Sequence, residues 1–289
     1  MSPDAPTSRL TIIGVGLIGG SLARALRRAH PGIEIVGCGR SQPNLRRALE
    51  LGVIDRLETD PARAVEGADL VVVAVPVGAI ESVFAAIDGH LAADAVITDV
   101  GSTKGDVVGS ARRRLGGRLA DFVPGHPIAG TERSGVEASF AELFHGCRVI
   151  LTPLSETRRA AVERVRSVWE CAGARVSEMD VRHHDEVLAA TSHLPHLLAY
   201  TLVDCLARMD DSEEIFDYAA GGFRDFTRIA SSDPVVWRDI CLANREAMLG
   251  ILKRFSADLA GITEAVRRAD GDRLMRVFAH AKDVRDRFA

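Results

Sequence analysis

No charge of one sign dominates this sequence of 289 residues: 36 Lys and Arg stand against 40 Asp and Glu, a net charge of −4. With no overall basic field to attract phosphates, binding to nucleic acid or to an anionic membrane surface is not expected. Long apolar runs are also missing. The longest, residues 70–80, falls far short of the roughly 20 residues that cross a bilayer and is interrupted by Pro76 and Gly78. Cys38, Cys147, Cys171, Cys205 and Cys241 are odd in number and scattered, with no Cys-x-x-Cys pair. That pattern argues against a disulfide framework or a cysteine-rich metal site and suits a reducing compartment. The opening residues lack the basic-then-apolar order of a secretory signal, so a cytoplasmic location is expected.

What is present is an ordinary globular composition, 47% hydrophobic and 26% charged, in a chain long enough for about two domains. The first half alternates short β-branched runs with helical spacing. Residues 10–14, 34–38, 70–75 and 95–99 read as buried strands, and 122–125, 148–152 and 175–178 as later members of the same sheet. Residues 21–28, 44–51, 80–87 and 105–115 read as the covering helices, as a parallel sheet with two helical faces requires. After Met179 the β-branched runs stop, and 182–190, 196–209, 234–259 and 262–288 read as amphipathic helices. The expected architecture is therefore α/β, a Rossmann-type doubly wound sheet in residues 1–180 followed by an all-helical domain in 181–289.

The first strand runs into Gly14-Val15-Gly16-Leu17-Ile18-Gly19-Gly20-Ser21. This is the G-x-G-x-x-G pattern at a strand-to-helix turn, where backbone N–H groups and the helix dipole favour the pyrophosphate of a dinucleotide. Gly14, Gly16, Leu17, Ile18 and Gly19 are thus candidate cofactor residues. At the end of the second strand NAD enzymes usually carry a carboxylate for the ribose 2′-hydroxyl; here Gly39-Arg40-Ser41 offers a cation and a hydroxyl instead, which favours NADP over NAD. Val75 and Pro76, closing a buried strand at the carboxyl edge of the sheet, are expected to touch the cofactor by their backbone.

Further polar residues fall on loops that follow strands, where ligands of such folds sit. They are Ser102 in Asp99-Val100-Gly101-Ser102-Thr103-Lys104 and His126 in Gly125-His126-Pro127. An imidazole with an ordinary pKa of about 6.5 is suited to accept a proton near neutrality. The ordered segments GVGLIGGSLA, DVGSTK, GHPIAGTE, SHLPH, GGFRDFTRIASSDP and WRDI together resemble the prephenate/arogenate dehydrogenase family over nearly the whole chain.

The resemblance implies a helical dimerisation domain of the 6-phosphogluconate-dehydrogenase kind, a homodimer, no metal, and oxidative decarboxylation of prephenate or arogenate. It places His126 at the substrate's 4-hydroxyl as proton acceptor, with Ser102 orienting it beside the nicotinamide. It implies that Arg228 holds a substrate carboxylate, that His193 and His196 line the pocket, that Thr131 and Glu132 gate it, and that Trp237 supports its wall. The run His183-His184-Asp185 is set aside as a metal cluster on the same ground. Two other functions compete. A 3-hydroxyacid-type dehydrogenase would rely on a lysine of the helical half, yet Lys253 and Lys282 lie outside any glycine-rich motif; a non-catalytic nucleotide sensor would have no need of Ser102, His126, His193 and Arg228 together.

Overall fold

Alternation at period two sorts the strand residues onto two buried faces, and that alternation builds the sheet in the computed structural model, which describes residues 7–131 and 133–288. Six parallel strands, β1 (Arg9–Ile13), β2 (Glu34–Cys38), β3 (Arg56–Glu58), β4 (Leu70–Val73), β5 (Val96–Asp99) and β6 (Phe122–Val123), lie in the order β3-β2-β1-β4-β5-β6. Leu10, Ile12, Ile35 and Val72 face one core with Leu22, Leu26, Leu45, Val165 and Trp169 of the helices Leu17–Ala29, Gln42–Glu50 and Arg159–Cys171. Ile13, Val36, Val71 and Val73 face the other, with Ile80, Phe84, Val107 and Ala111 of the helices Val77–Ile87 and Gly105–Arg114. A strand buried on both sides reads as a continuous apolar run, as Leu70–Val73 does.

The later strands depart from the expectation of one sheet. β7 (Gly125–Pro127), β8 (Arg148–Leu151) and β9 (Arg175–Glu178) form a separate sheet in the order β7-β8-β9, antiparallel between β7 and β8 and parallel between β8 and β9. The expected strand over 122–125 divides at Pro124, which has no N–H to give to a ladder; the chain passes there from β6 into β7. β3 was not anticipated, because three partly exposed residues carry too little periodicity to be read.

Beyond Asp180, whose carboxylate accepts from the N–H groups of Arg182 and His183 and so caps a helix, the chain is all helical, as expected. Residues Ala189–His193 wind as a π-helix between the helices Val181–Leu188 and Leu194–Ala207. Pro195 follows, and its missing N–H leaves the carbonyl four residues back without the regular partner. Residues 234–259, read as one helix, divide into Pro234–Ala243 and Arg245–Arg267 at Asn244, whose side chain is engaged elsewhere.

The chain separates into two compact units, with the division between Asn244 and Arg245. The second is a helical hairpin of Arg245–Arg267 and Gly271–Asp286. Among the described residues no helix is long and apolar enough to cross a membrane.

Candidate active site

At the carboxyl edge of the six-stranded sheet, between β1 and β4 where the strand order reverses, lies a cavity of about 740 Å³. Gly14, Gly16, Arg40, Ser41, Val75 and Pro76 line it. The glycines differ in what they allow. Gly14 has φ +104, and a Cβ there would overlap the Ala74 carbonyl oxygen; a Cβ on Gly19 would strike the Gly14 carbonyl oxygen and the Ile12 side chain. Gly16 has open space where its Cβ would be, so backbone is bare at the point where a pyrophosphate would approach. The residues present thus fit a dinucleotide. Leu17, Ile18 and Gly19 start the helix behind the turn and do not line the cavity.

Asn44, not singled out from sequence, completes this wall beside Arg40 and Ser41. Asn44 donates from Nδ2 to the Val15 carbonyl at 2.8 Å and accepts the Val136 N–H at 3.4 Å, tying the glycine turn to the loop at Gly135. Ser41 caps the helix Gln42–Glu50, its Oγ accepting from the Asn44 N–H at 3.4 Å. Arg40 is exposed on the cavity rim.

From the glycine turn the sheet edge steps sideways toward His126. Ala74 N–H donates to the Ile13 carbonyl, Val100 N–H to the Val73 carbonyl at 3.2 Å, and Gly125 N–H to Asp99 Oδ1 at 3.2 Å. Three strand spacings of about 4.8 Å put His126 on the order of 15 Å from Gly14. Beneath it is a fully buried ion pair: the Lys104 ammonium contacts Asp99 Oδ2 and donates to the Gly125 carbonyl at 2.7 Å. Burial pushes the Lys104 ammonium toward its neutral form, and the Asp99 and Asp185 carboxylates oppose that.

His126 is 8% exposed. Its Nδ1 lies 2.9 Å from His184 Nε2, and His184 Nδ1 lies 2.8 Å from Asp185 Oδ1. The Nε2 of His126 has no hydrogen-bond partner among the described residues, yet it is not sealed from solvent. Burial drives its pKa well below 6.5, with His184, Lys104 and His193 acting in the same direction, so the ring is neutral at physiological pH. Asp185 is pushed upward by burial, but the His184 hydrogen bond and the N–H groups of Lys104 and Gly105 outweigh this and hold it below the usual carboxylate range.

His193 joins the same cluster through Asn244. The Asn244 amide donates to the Asp185 carbonyl at 2.8 Å, which identifies the nitrogen, and that nitrogen is 3.2 Å from His193 Nδ1. Burial lowers the His193 pKa to about 4. A neutral His193 that accepts at Nδ1 carries its proton on Nε2, and this nitrogen is buried without a partner among the described residues. His196, whose Nδ1 donates to the Ser192 carbonyl at 2.9 Å, stacks on Trp237 at 3.5 Å between ring centroids. Burial lowers its pKa, against the opposing Ser192 contact.

The other expected site residues are less tightly gathered. Ser102 is half-buried on the loop before Lys104, and no hydrogen bond joins it to His126 among the described residues; His126 Nδ1 is paired with His184. Arg228 is exposed at the start of the turn Arg228–Ser231. That turn is held to the His196 helix by Tyr200, which donates to the Ser232 carbonyl at 2.6 Å. Thr131 is exposed and closes a local turn on Arg133, while Glu132 lies outside the described residues. Lys104, His184, Asp185 and Asn244 were missed. His184-Asp185 was visible as a polar pair in sequence, but nothing local to it names His126 as its partner.

Comparison with known proteins agrees with this geometry. A family model for the nucleotide-binding domain of prephenate dehydrogenase matches residues 22–178, and one for the prephenate dehydrogenase dimerization domain matches 180–280. The cyclohexadienyl dehydrogenase of Zymomonas mobilis is 41% identical over 96% of this chain and 94% of its own length. The prephenate dehydrogenase of Bacillus subtilis is 39% identical, over 96% and 75%. The crystal structure of prephenate dehydrogenase from A. aeolicus with hydroxyphenyl propionate and NAD+ superposes with a TM-score of 0.91 at 38% identity, covering 98% of both chains. Synechocystis arogenate dehydrogenase gives 0.81 at 27% identity, covering 97% of this chain and all of that one. With the glycine cradle, the sheet-edge imidazole and these matches in agreement, the chain belongs to the prephenate dehydrogenase family.

Proposed function

We propose that this protein is an NAD(P)-dependent prephenate dehydrogenase that converts prephenate to 4-hydroxyphenylpyruvate in tyrosine biosynthesis, with arogenate as the second candidate substrate. The observation that carries this reading is His126: a buried, neutral imidazole at the same edge of the sheet as the dinucleotide cradle, with one ring nitrogen held and the other open. Relatives named for cyclohexadienyl, prephenate and arogenate substrates support the class.

A bound nicotinamide supplies the hydride acceptor for C4 of the substrate. The protein's part is to move a proton and to place anions. His126 Nε2 takes the 4-hydroxyl proton as the C4–H bond gives up its hydride, and the ring becomes aromatic as the carboxylate leaves as CO2; the imidazolium then returns the proton to the phenolic oxygen. Arg228 presents a guanidinium fork to a substrate carboxylate. The lone Nε2–H of His193 donates to a second substrate oxygen, which removes the cost of an unsatisfied buried donor. The His196–Trp237 stack would form one wall and Ser102 would face the nicotinamide, with the gating role assigned to Thr131 and, outside the described residues, to Glu132.

Arg40 at the cavity rim favours the 2′-phosphate of NADP, Ser41 adding its hydroxyl. A kinetic comparison of prephenate and arogenate, each with NAD and NADP, tests substrate and cofactor together. Prephenate with NADP is expected to give the highest kcat/KM. A charged hydrogen bond is worth about 1.5–3 kcal/mol, so Arg40→Ala should raise the KM for NADP by about 10- to 100-fold and leave that for NAD nearly unchanged. Equal effects on both cofactors would remove the NADP preference.

Residues 1–180 are assigned to the dinucleotide and 181–289 to substrate binding and dimerisation. The terminal hairpin exposes Leu249, Leu259, Val266, Met275, Phe278 and Phe288, each more than half exposed, and two helices with such side chains on their surface call for a partner. A homodimer is expected by light scattering at micromolar concentration; a monomer there would refute it. The reaction is assigned to the cytoplasm, where the five free thiols stay reduced.

A further inference from the structure

Two buried groups beside His126 have no part in the proton transfer just described. His184 is fully buried and Asp185 nearly so, and together they end a hydrogen-bonded line that begins at His126. We propose that His184 and Asp185 are positioning residues that hold His126 in the Nδ1–H tautomer, which leaves the lone pair of Nε2 facing the reacting hydroxyl. The proposal rests on the reading of His126 as the proton acceptor.

With His184 neutral, the protons along this line can be placed in one way. Asp185 accepts the Lys104 N–H at 2.8 Å and the Gly105 N–H at 2.7 Å, an arrangement suited to an ionised carboxylate at the start of the helix Gly105–Arg114. An ionised carboxylate only accepts, so the proton between it and His184 belongs to His184 Nδ1. A neutral imidazole has one N–H, which makes His184 Nε2 an acceptor. The nitrogen 2.9 Å away, His126 Nδ1, must then be the donor. His126 is left with an unprotonated Nε2, the form a base requires.

The anchoring is also mechanical. Asp185 is bound to the N–H groups of Lys104 and Gly105, and Lys104 grips the Gly125 carbonyl next to His126. Base, orienting ring and carboxylate therefore share one rigid frame. When His126 gains a proton, the Asp185 carboxylate stabilises the new charge through His184.

The charged and titratable groups facing His126 are His184, Lys104 and His193, with Asp185 and Asp99 behind them. The first test is an NMR measurement of the ring nitrogens of His126 and His184 in the free protein at pH 8, which needs no turnover. Both rings should carry the proton on Nδ1; a proton on His126 Nε2 would overturn the proposal even in an enzyme that oxidises prephenate. Conversely, Nδ1–H on both rings in a protein without prephenate turnover would keep the positioning role and defeat the functional reading.

Variants supply the second test. In Asp185→Asn the side-chain amide can donate to His184 Nδ1, which reverses the line and puts a proton on His126 Nε2. Its kcat should fall on the order of 10²- to 10⁴-fold, with the dissociation constant for the dinucleotide preserved. The carbonyl of Gln can still accept from His126 Nδ1, so His184→Gln should lose less kcat than His184→Ala. Equal losses in those two, with the wild-type tautomers unchanged in Asp185→Asn, would reduce the pair to a structural role. Should Asp185→Asn fail to fold, the wild-type tautomers and the two His184 variants still decide.

Discussion

Replacing His126 with Asn should lower kcat for prephenate by about 10²- to 10⁴-fold, the usual contribution of a general base, and leave dinucleotide affinity intact. Asn keeps a polar group of similar reach but has no nitrogen able to take a proton. Arg228→Gln should show the complementary pattern. A charged hydrogen bond of about 1.5–3 kcal/mol is lost in ground and transition state alike, so the KM for prephenate rises by about 10- to 100-fold while kcat changes little. The two profiles interchanged would refute both role assignments. The pH profile supplies a sign as well. Since burial and the neighbouring His184, Lys104 and His193 lower the His126 pKa, the free enzyme holds its base unprotonated at neutrality, and kcat/KM should lose activity only as pH falls below 6.5. An acidic limb centred above that value and absent in the His126 variant would contradict the environment described.

The second large effect is on stability. Lys104 and Asp99 are both fully buried and in contact. Removal of the cation in Lys104→Met leaves the Asp99 carboxylate uncompensated, and breaking one side of a buried pair costs about 3–5 kcal/mol. It also releases the Gly125 carbonyl, so the strand that carries His126 loses its anchor. The double variant Lys104→Met with Asp99→Asn should recover part of the loss, because it removes the buried charge while the amide oxygen can still accept the Gly125 N–H. Chemical denaturation of the three proteins measures this. A loss below about 1 kcal/mol in the single variant, the range of solvated surface pairs, would show that the charges are hydrated.

Much of the architecture was determined by sequence alone, because its signals are local. Leu70–Val73 is apolar at every position, which is what a strand covered on both faces requires. Gly14, Gly16 and Gly19 stand at a spacing set by one turn between strand and helix, and the clashes that a Cβ would meet at Gly14 and Gly19 show why those two must be glycine. His126 could be picked out because it follows a strand at the ligand edge and sits within a family motif.

Tertiary structure decided the partners. That β7, β8 and β9 leave the first sheet depends on pairing between residues such as His126 and Ile150, which no local pattern encodes. The partner of His126 Nδ1 is His184, 58 positions further along the chain. Asn244 ends a helix that periodicity would have continued, since its amide is drawn to the Asp185 carbonyl and to His193. Periodicity and turn chemistry report what a segment of chain prefers. Which buried hydrogen-bonding group meets which is set by the packing of distant segments, where leaving any one of them unsatisfied costs more than a local preference returns.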